Sequence, residues 1–225
     1  MKKEEITIVI PTKDEERSVG EIIEKLKVHA DEIIVVDGHS NDQTREIASR
    51  KGAKVVLDRG RGKGDGVRVG IAEANGDIIV FIDADGSHDP ADIPRLIKPI
   101  RDGEADLVVG SRIKGGSDEL MGDMGRLIRM TGSNIITQAI NFRWGVELTD
   151  SQNGFRAIRR DVAGKLRLKE NIFTIEQEMI MKCLKKGYRV YEVPTHEYQR
   201  EFSRSRIVVW KMWPRYVWCL IKNLF

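Results

Sequence analysis

The feature that most constrains the fold is an apolar run at residues 78–82 that leads directly into Asp83-Ala84-Asp85. Such an uninterrupted run is typical of a central parallel strand that is covered on both faces. Alternate residues of an extended chain share a side, so Asp83 and Asp85 are expected to face one way and Ala84 the other. Two neighbouring carboxylates repel unless a cation lies between them, and ligands bind at the carboxyl ends of parallel strands. We therefore predict a metal-bound phosphate site, rather than an acidic loop that only caps the helix after Asp89-Pro90.

The composition describes a globular chain that is long enough to bury a full core. The 225 residues are 40% hydrophobic and 32% charged, which is typical of a soluble protein without disordered tracts. The net charge of only +3 argues against a nucleic-acid partner. Cys183 and Cys219 lack metal-ligand spacing, which predicts reduced thiols in the cytosol. Residues 2–5 are charged and lead into a strand, unlike a signal peptide.

The order of the apolar segments predicts one α/β domain, because strand and helix patterns alternate through the first half. Strands are predicted at 6–10, 33–36, 55–57, 78–82, 107–109, 154–158 and 190–193. Helices are predicted at 17–28, 43–50, 63–74, 93–100, 124–142, 175–186 and 207–225, with a mobile loop at 114–123. Without a linker, residues 1–225 form one domain, composed of a nucleotide-type half (1–112), a basic and apolar half (113–206) and a final helix (207–225).

Acidic clusters also follow the first two strands, at 13–16 and 37–42, and a glycine-rich run at 60–66 contains Lys63. Glycines permit close backbone approach, and Lys63 can supply a positive charge to a phosphate. The run is not a P-loop, because Gly64 stands where that motif has Ser or Thr. Together with the acids it indicates a metal-bridged nucleoside diphosphate, whose base or ribose donates to Asp37 and Glu15.

Motifs spread in order over nearly the whole chain carry a family resemblance. They are residues 8–15, 35–44, 62–64 and 83–85, followed by 110–112, 150–156 and 200–206 in the carboxyl half. The chain resembles the family 2 glycosyltransferases, and among them the dolichyl-phosphate hexose synthases. This resemblance implies a GT-A fold, which is a Rossmann-like, mostly parallel sheet flanked by helices. It also implies a nucleotide-sugar donor, GDP-mannose or a UDP-hexose, together with Mg²⁺ or Mn²⁺ and a polyprenyl phosphate acceptor such as dolichyl phosphate.

The resemblance assigns roles to individual positions. The donor-binding positions are Pro11, Glu15, Asp37, Lys63, Asp83, Ala84 and Asp85. The positions that grip the acceptor phosphate are Arg112, Arg129, Ser133 and Arg200, and the catalytic set is Asp85 with the three arginines. Asp83 and Asp85 match the metal motif, and Ser87 stands where the subgroup usually has glutamine. The third metal ligand is therefore Ser87, His88 or water.

The chemistry of the acceptor predicts the mechanism. A lipid phosphate is ionised at neutral pH, so its oxygen attacks the anomeric carbon without a general base and inverts its configuration. We therefore assign no base role to Glu178 or His88. The site must therefore position the substrates and balance their charges. A guanidinium group can donate two hydrogen bonds to the acceptor phosphate, and a metal can stabilise the leaving diphosphate.

Several of these residues also have a structural interpretation. Arg112 can be a surface ion pair, and the helix face that carries Arg126 and Arg129 can be merely solvated. Ser133, one turn after Arg129, can share its phosphate or play no part. Glu176 and Glu178 are expected on the helix surface or as ion-pair partners. The histidines without metal spacing are interpreted as structural, namely His29, His39 and His196.

The final segment, 207–225, predicts an amphipathic interfacial helix. Lys211, Arg215 and Lys222 fall within about 40° of one another on a helical wheel, on a helix that also carries three tryptophans. Each charge at a bilayer centre costs roughly 2.5–3.5 kcal/mol, so spanning is unfavourable, and Pro214 adds a kink. We expect the helix to lie at an anionic membrane surface, placing the protein peripherally on the cytoplasmic face. A core helix packed on the sheet is the alternative.

Three other functions compete with lipid-phosphate glycosylation. A family 2 transferase that acts on a soluble glycan predicts an acidic base and leaves the arginines unexplained. A sugar nucleotidyltransferase requires a basic glycine-rich loop after the first strand, where this chain has Lys-Asp-Glu-Glu at 13–16. A non-catalytic lipid-binding module requires Asp83 and Asp85 to be dispensable for donor binding.

Overall fold

The computed structural model describes residues 4–118, 124–200 and 209–224. The strands are β1 (Ile6–Thr12), β2 (Glu32–Asp37), β3 (Lys54–Leu57), β4 (Ile78–Phe81), β5 (Leu107–Ser111), β6 (Arg156–Arg159) and β7 (Val190–Pro194). The helices are α1 (Val19–Leu26), α2 (Thr44–Arg50), α3 (Lys63–Glu73), α4 (Ile93–Arg101), α5 (Arg112–Gly115), α6 (Met124–Trp144), α7 (Arg160–Lys165), α8 (Ile175–Lys185) and α9 (Val209–Leu224). A 3₁₀ turn at Pro90–Asp92 precedes α4.

The strands form one seven-stranded sheet in the order β3-β2-β1-β4-β6-β5-β7, which confirms the predicted α/β fold class. All neighbouring pairs are parallel except those of β6, which runs antiparallel to both β4 and β5. The carboxyl ends of the other six strands therefore meet at one edge of the sheet. The segments that follow β1 to β5 and β7 bring the predicted donor and acceptor residues to this edge.

Apolar side chains cover both faces of the sheet, as the continuous apolar runs predict. Along β1, Ile8 and Ile10 pack into a core with α1 and α4, whereas Val9 packs into the opposite core with α3 and α8. The central strand β4 divides in the same way, with Val80 in the first core and Phe81 in the second. Burial on both sides fixes the strand register, because a shift by one residue would exchange the two faces.

The predicted boundaries differ from the structure at several points. β4 ends at Phe81, so a turn and not the strand itself carries Asp83 and Asp85. Within the predicted loop at 114–123, residues 114–115 complete α5, Ser117 bridges to Glu197, and 119–123 lie outside the described residues. The short helices α5 and α7 are absent from the prediction, because four to six residues do not establish a helical period.

Helix α9 runs through Pro214 and packs against α6 and α8. The approach to α6 is close at Gly132, where a Cβ atom would lie 2.3 Å from Cζ3 of Trp213. Cys219 and Asn223 are buried, whereas Arg215, Trp218 and Ile221 are exposed. Helix α9 is thus packed against two other helices along one side and exposed along another. Among the described helices, none is both long enough and apolar enough to cross a bilayer.

Candidate active site

A cavity of about 140 Å³ opens at the edge where the strand ends meet. Its wall contains six residues that the sequence predicts for the site, namely Lys63, Asp83, Ser87, Arg112, Ser133 and Arg200. They come from the start of α3, the turn after β4, the start of α5, the middle of α6 and the segment after β7. Folding therefore brings the predicted donor and acceptor residues to one place.

On the donor side, Lys63 lies between two carboxylates. Its Nζ is 2.7 Å from Oδ1 of Asp83 and 3.1 Å from Oε1 of Glu176. Burial alone would lower the pKa of Lys63, but the two carboxylates outweigh it and raise that pKa. Burial alone would raise the pKa of Asp83, but the charge of Lys63 outweighs burial and lowers that pKa.

Glu176, which was expected on the helix surface or as an ion-pair partner, is not on the surface but pairs with Lys63 in the cavity wall. Its side chain lines the cavity and is only 5% exposed, because the first turn of α8 faces the end of the sheet. Burial raises the pKa of Glu176, although Lys63 and Arg156 oppose the shift. Its Oε2 atom has no hydrogen-bond partner within the described chain. Glu178 is also buried. It accepts a hydrogen bond from the backbone N–H of Lys169 and forms an ion pair with Lys182.

The second aspartate of the metal motif faces a predicted acceptor residue. Arg200 Nε lies 2.6 Å from Oδ2 of Asp85, and Ser87 donates from its hydroxyl to Oδ1 at 2.6 Å. Each aspartate of the motif therefore has its own side-chain cation, Lys63 for Asp83 and Arg200 for Asp85. These two contacts relieve the repulsion between the carboxylates, and the second joins a predicted donor residue to a predicted acceptor residue.

Arg112 is held by hydrogen bonds to two carboxylates. Its Nε and Nη2 donate to Asp150 at 2.6 and 3.1 Å, and its Nη1 donates to Glu197 at 3.3 Å. Burial would raise the pKa of Asp150, but Arg112 outweighs it and the pKa is lowered. Glu197 also accepts from the Ser117 hydroxyl at 2.5 Å. Arg112 is thus a part-buried, oriented side chain and not a surface ion pair.

The residues that are predicted to bind the nucleoside, Pro11, Glu15 and Asp37, are not part of the wall of this cavity. Pro11 lines a second, smaller cavity together with Lys63 and Asp83. Asp37 is fully buried, and its two oxygens accept from the backbone and the hydroxyl of Ser40. Glu15 is half-buried and accepts from Ser18. The side chain of Ala84 packs into the core, whereas Asp83 lines both cavities.

Two predicted acceptor residues lie on α6. Ser133 is half-buried in the cavity wall, and its carbonyl accepts from the Thr137 hydroxyl at 2.9 Å. Arg129 lies on the same helix four residues earlier, and its side chain, like that of Arg126, is outside the described residues.

The donor atoms at the predicted metal site fit a hard divalent cation. Asp83 and Asp85 supply carboxylate oxygens, and Mg²⁺ is commonly bound by one or two carboxylates plus substrate phosphates and water. His88, only 4% exposed and stacked on Phe155, has an Nδ1 atom without a partner in the described chain. Burial lowers the pKa of His88, which keeps the ring neutral and its nitrogen able to ligate. No cluster of three or more His, Cys, Asp or Glu side chains that could hold a metal occurs in the described ranges, so a cation held by Asp83 and Asp85 would need further ligands such as donor phosphates and water.

Comparison with known proteins decides the family. The sequence model of Glycosyl transferase family 2 matches residues 7–167. The chain belongs to this family. The family 2 glycosyltransferase is 29% identical to a dolichyl-phosphate hexose transferase of Haloferax volcanii, over 85% of this chain and 82% of the relative. It is 32% identical to a dolichol-phosphate mannosyltransferase of Pyrococcus furiosus, over 84% of this chain but only 55% of that longer protein.

A solved structure confirms the GT-A fold. Glucosyl-3-phosphoglycerate synthase from Mycobacterium tuberculosis, in complex with Mn²⁺, UDP and glucosyl-3-phosphoglycerate, superposes with a TM-score of 0.78 at 22% identity. The match covers 98% of this chain and 80% of the synthase. The family assignment makes this protein a glycosyltransferase enzyme, rather than a sugar nucleotidyltransferase or a non-catalytic lipid-binding module.

Proposed function

We propose that this glycosyltransferase moves a hexose from a nucleoside-diphosphate sugar to polyprenyl phosphate, with inversion at the anomeric carbon. The observation that carries the proposal is a single cavity whose wall combines donor-side acids, acceptor-side arginines and an apolar surface. The apolar part comes from α5, α6 and α9, through Ile113, Met130, Ile136, Met212, Trp213 and Tyr216. A phosphate with a long hydrocarbon tail matches this combination.

The arginines are suited to a phosphate nucleophile. Asp150 orients the guanidinium group of Arg112 through a hydrogen bond of 2.6 Å from Nε. The hydrogen bond from Nη1 to Glu197 is longer, at 3.3 Å, so Nη1 can donate to a phosphate oxygen instead. Arg200 lies beside Asp85 and can bring the acceptor phosphate next to the donor. A lipid phosphate is ionised at neutral pH, so positioning and charge balance replace a general base.

A divalent cation held by Asp83 and Asp85 would supply Lewis-acid stabilisation to the departing nucleoside diphosphate. Lys63, which now neutralises Asp83 and Glu176, can also contact the diphosphate. The remaining site residues bind and orient the two substrates.

The exposed side of α9 supports action at a membrane surface. Trp218 is 65% exposed, Ile221 is 48% exposed, and Arg215 and Lys222 are exposed on the same helix. Aromatic and basic side chains together favour an interface that contains anionic lipid. The names of the relatives from Haloferax volcanii and Pyrococcus furiosus point to the same acceptor class. We therefore propose a peripheral position on the cytoplasmic face of the membrane.

The proposal is tested by incubating the protein with Mg²⁺ or Mn²⁺, polyprenyl phosphate and a panel of labelled nucleotide sugars. Organic-extractable, acid-labile sugar is the expected product, and a chelator should abolish it. Label that stays in the aqueous phase on a soluble glycan would instead favour the soluble-acceptor alternative. Undiminished transfer in the presence of chelator would refute the metal assignment.

A further inference from the structure

Glu192 is a buried acid in the edge strand β7, close to the cavity but not part of its wall. The residue is only 8% exposed, and it pairs in the sheet with Val109 of β5. A buried carboxylate is costly unless hydrogen-bond donors reach it. The groups that donate to Glu192 therefore indicate what this side chain does.

The carboxylate of Glu192 holds the segment between α6 and β6. Its Oε1 accepts from the backbone N–H of Asp150 at 2.7 Å, and both of its oxygens lie 3.0 Å from the backbone nitrogen of Thr149. Its Oε2 also accepts from the Thr149 hydroxyl at 2.8 Å and pairs with Lys114 at 3.0 Å. One buried charge thus binds two consecutive backbone N–H groups, and hydrogen bonds to a charged acceptor are stronger than neutral ones. Glu192 therefore fixes where Thr149 and Asp150 lie.

Thr149 and Asp150 connect Glu192 to the site, because both of them line the cavity. The Thr149 hydroxyl lies 2.6 Å from Oγ of Ser111, which is the N-cap residue of α5. Asp150 accepts from Nε and Nη2 of Arg112, the first residue of α5. The contacts therefore run from Glu192 through two residues to the start of α5 and to the guanidinium group of Arg112.

We propose that Glu192 is a positioning residue that sets the orientation of Arg112 toward the acceptor phosphate. The inference rests on the proposed function, because it takes Arg112 to bind that phosphate. Glu192 acts through Asp150 and contacts no substrate. A guanidinium group binds phosphate through two N–H groups at once only if its orientation is held, so a displaced Asp150 weakens acceptor binding and leaves the donor residues unchanged.

Steady-state kinetics of the natural protein and the Glu192→Gln variant test the assignment. Glutamine keeps the shape of the side chain and one acceptor oxygen, but its amide nitrogen donates where the carboxylate accepts. We expect the KM for polyprenyl phosphate to rise about 10-fold, while kcat and the KM for the nucleotide sugar stay within about twofold. Asp106→Asn is the matched control, because Asp106 is also 8% exposed and accepts from a backbone N–H, that of Arg189 at 2.9 Å. Asp106 precedes β5 at the opposite edge of the sheet, so its variant should keep the kinetics of the natural protein.

A double-mutant cycle separates positioning from a general loss of structure. In an Arg112→Gln background, Glu192→Gln should change the KM for polyprenyl phosphate by less than about twofold, because the group that Glu192 positions is already gone. Glu192→Asp is a second variant that keeps the buried charge. Its side chain is one methylene group shorter and loses its reach to Thr149 and Asp150, so it should raise the same KM.

Two results would overturn the assignment. They are an unchanged KM for polyprenyl phosphate in both Glu192 variants, and a rise of equal size with and without Arg112. Failure of the proposed function has a different signature, because the natural protein would then transfer no hexose to polyprenyl phosphate. Calorimetric titration with phosphoglyceric acid would in that case compare the same variants. A dissociation constant that rises in Glu192→Gln but not in Asp106→Asn would retain the positioning role, and one that rises in neither would remove it.

Discussion

At the residue scale, the site is organised by ion pairs between functional groups. Lys63 neutralises Asp83, Arg200 neutralises Asp85, and Arg112 is fixed by Asp150 and Glu197. Each of these three cations thus has an acid partner in the described chain. When a substrate phosphate binds, it can replace the carboxylate as the partner of the cation. The cation then stays paired, which limits the free-energy cost of burying its charge.

Asp85 is expected to be essential for transfer. Asp85→Asn removes the charge that would hold a cation and that faces Arg200, and it leaves the side-chain volume unchanged. We expect transfer to fall about 100-fold or more, measured as kcat with labelled nucleotide sugar. Asp89→Asn is the matched control, because Asp89 only caps the 3₁₀ turn through the Ala91 N–H and asparagine caps equally well. Activity of Asp85→Asn equal to that of the control would contradict the assignment.

The pair between Arg112 and Asp150 predicts a pH-dependent stability. Asp150→Asn leaves the part-buried guanidinium of Arg112 partly uncompensated and should cost about 3 kcal/mol in the free energy of unfolding at pH 7. The pKa of Asp150 is lowered in the folded state from the ordinary value of 3.8, so the unfolded chain takes up its proton first as the pH falls. The difference between the natural protein and the variant should be constant above about pH 5 and shrink below about pH 4. Urea denaturation across this range measures it, and a difference that grows on acidification would contradict the ion pair.

The residues that sequence reasoning could and could not find differ in kind. Asp83, Lys63, Arg112 and Arg200 stand in motifs with a recognisable order, and they do reach one cavity. Glu176 and Glu197 carry no local signal, because their position in the cavity wall depends on which segments pack together.

At the element scale, α6 and α9 form the apolar part of the cavity through a close helix contact. Gly132→Ala adds a Cβ atom 2.3 Å from the Trp213 ring, so the ring or the whole of α9 must move. We expect a loss of about 1–3 kcal/mol in the free energy of unfolding, measured by urea denaturation. Gly164→Ala in α7 is the control, because its Cβ meets no atom within 4 Å, and it should be neutral or stabilising by up to about 1 kcal/mol. A Gly132→Ala variant as stable as the control would mean that the α6–α9 contact is loose.

Hydrophobic patterns predict the parallel half of the sheet, because each buried strand is a continuous apolar run. They do not predict the direction of β6, whose four residues are Arg-Ala-Ile-Arg. Strand direction here depends on the long α6 between β5 and β6, and on pairing with β4, neither of which a local pattern contains.

At the scale of the whole molecule, the account requires the exposed side of α9 to meet a membrane. The protein should float with vesicles that contain anionic lipid and bind neutral vesicles more weakly. Arg215→Gln should reduce the partition coefficient about fivefold at low salt, since each basic side chain near such a surface contributes about 1 kcal/mol. Arg95→Gln on α4 is a control of equal charge change away from α9. Equal partition coefficients for the two variants, or no binding of the protein to anionic vesicles, would contradict the predicted membrane-binding surface on α9.

The central claim is that the acceptor is a lipid-linked phosphate. Its most direct test is a competition in which one labelled nucleotide sugar meets polyprenyl phosphate and a soluble phosphorylated acceptor, such as phosphoglyceric acid, in the same reaction. The arginines of the cavity can bind the phosphate of either acceptor, whereas its apolar wall can contact only the hydrocarbon chain of the lipid. We predict a kcat/KM at least about 100-fold higher for polyprenyl phosphate, with the label in the organic phase. An equal or higher kcat/KM for the soluble acceptor would contradict the account.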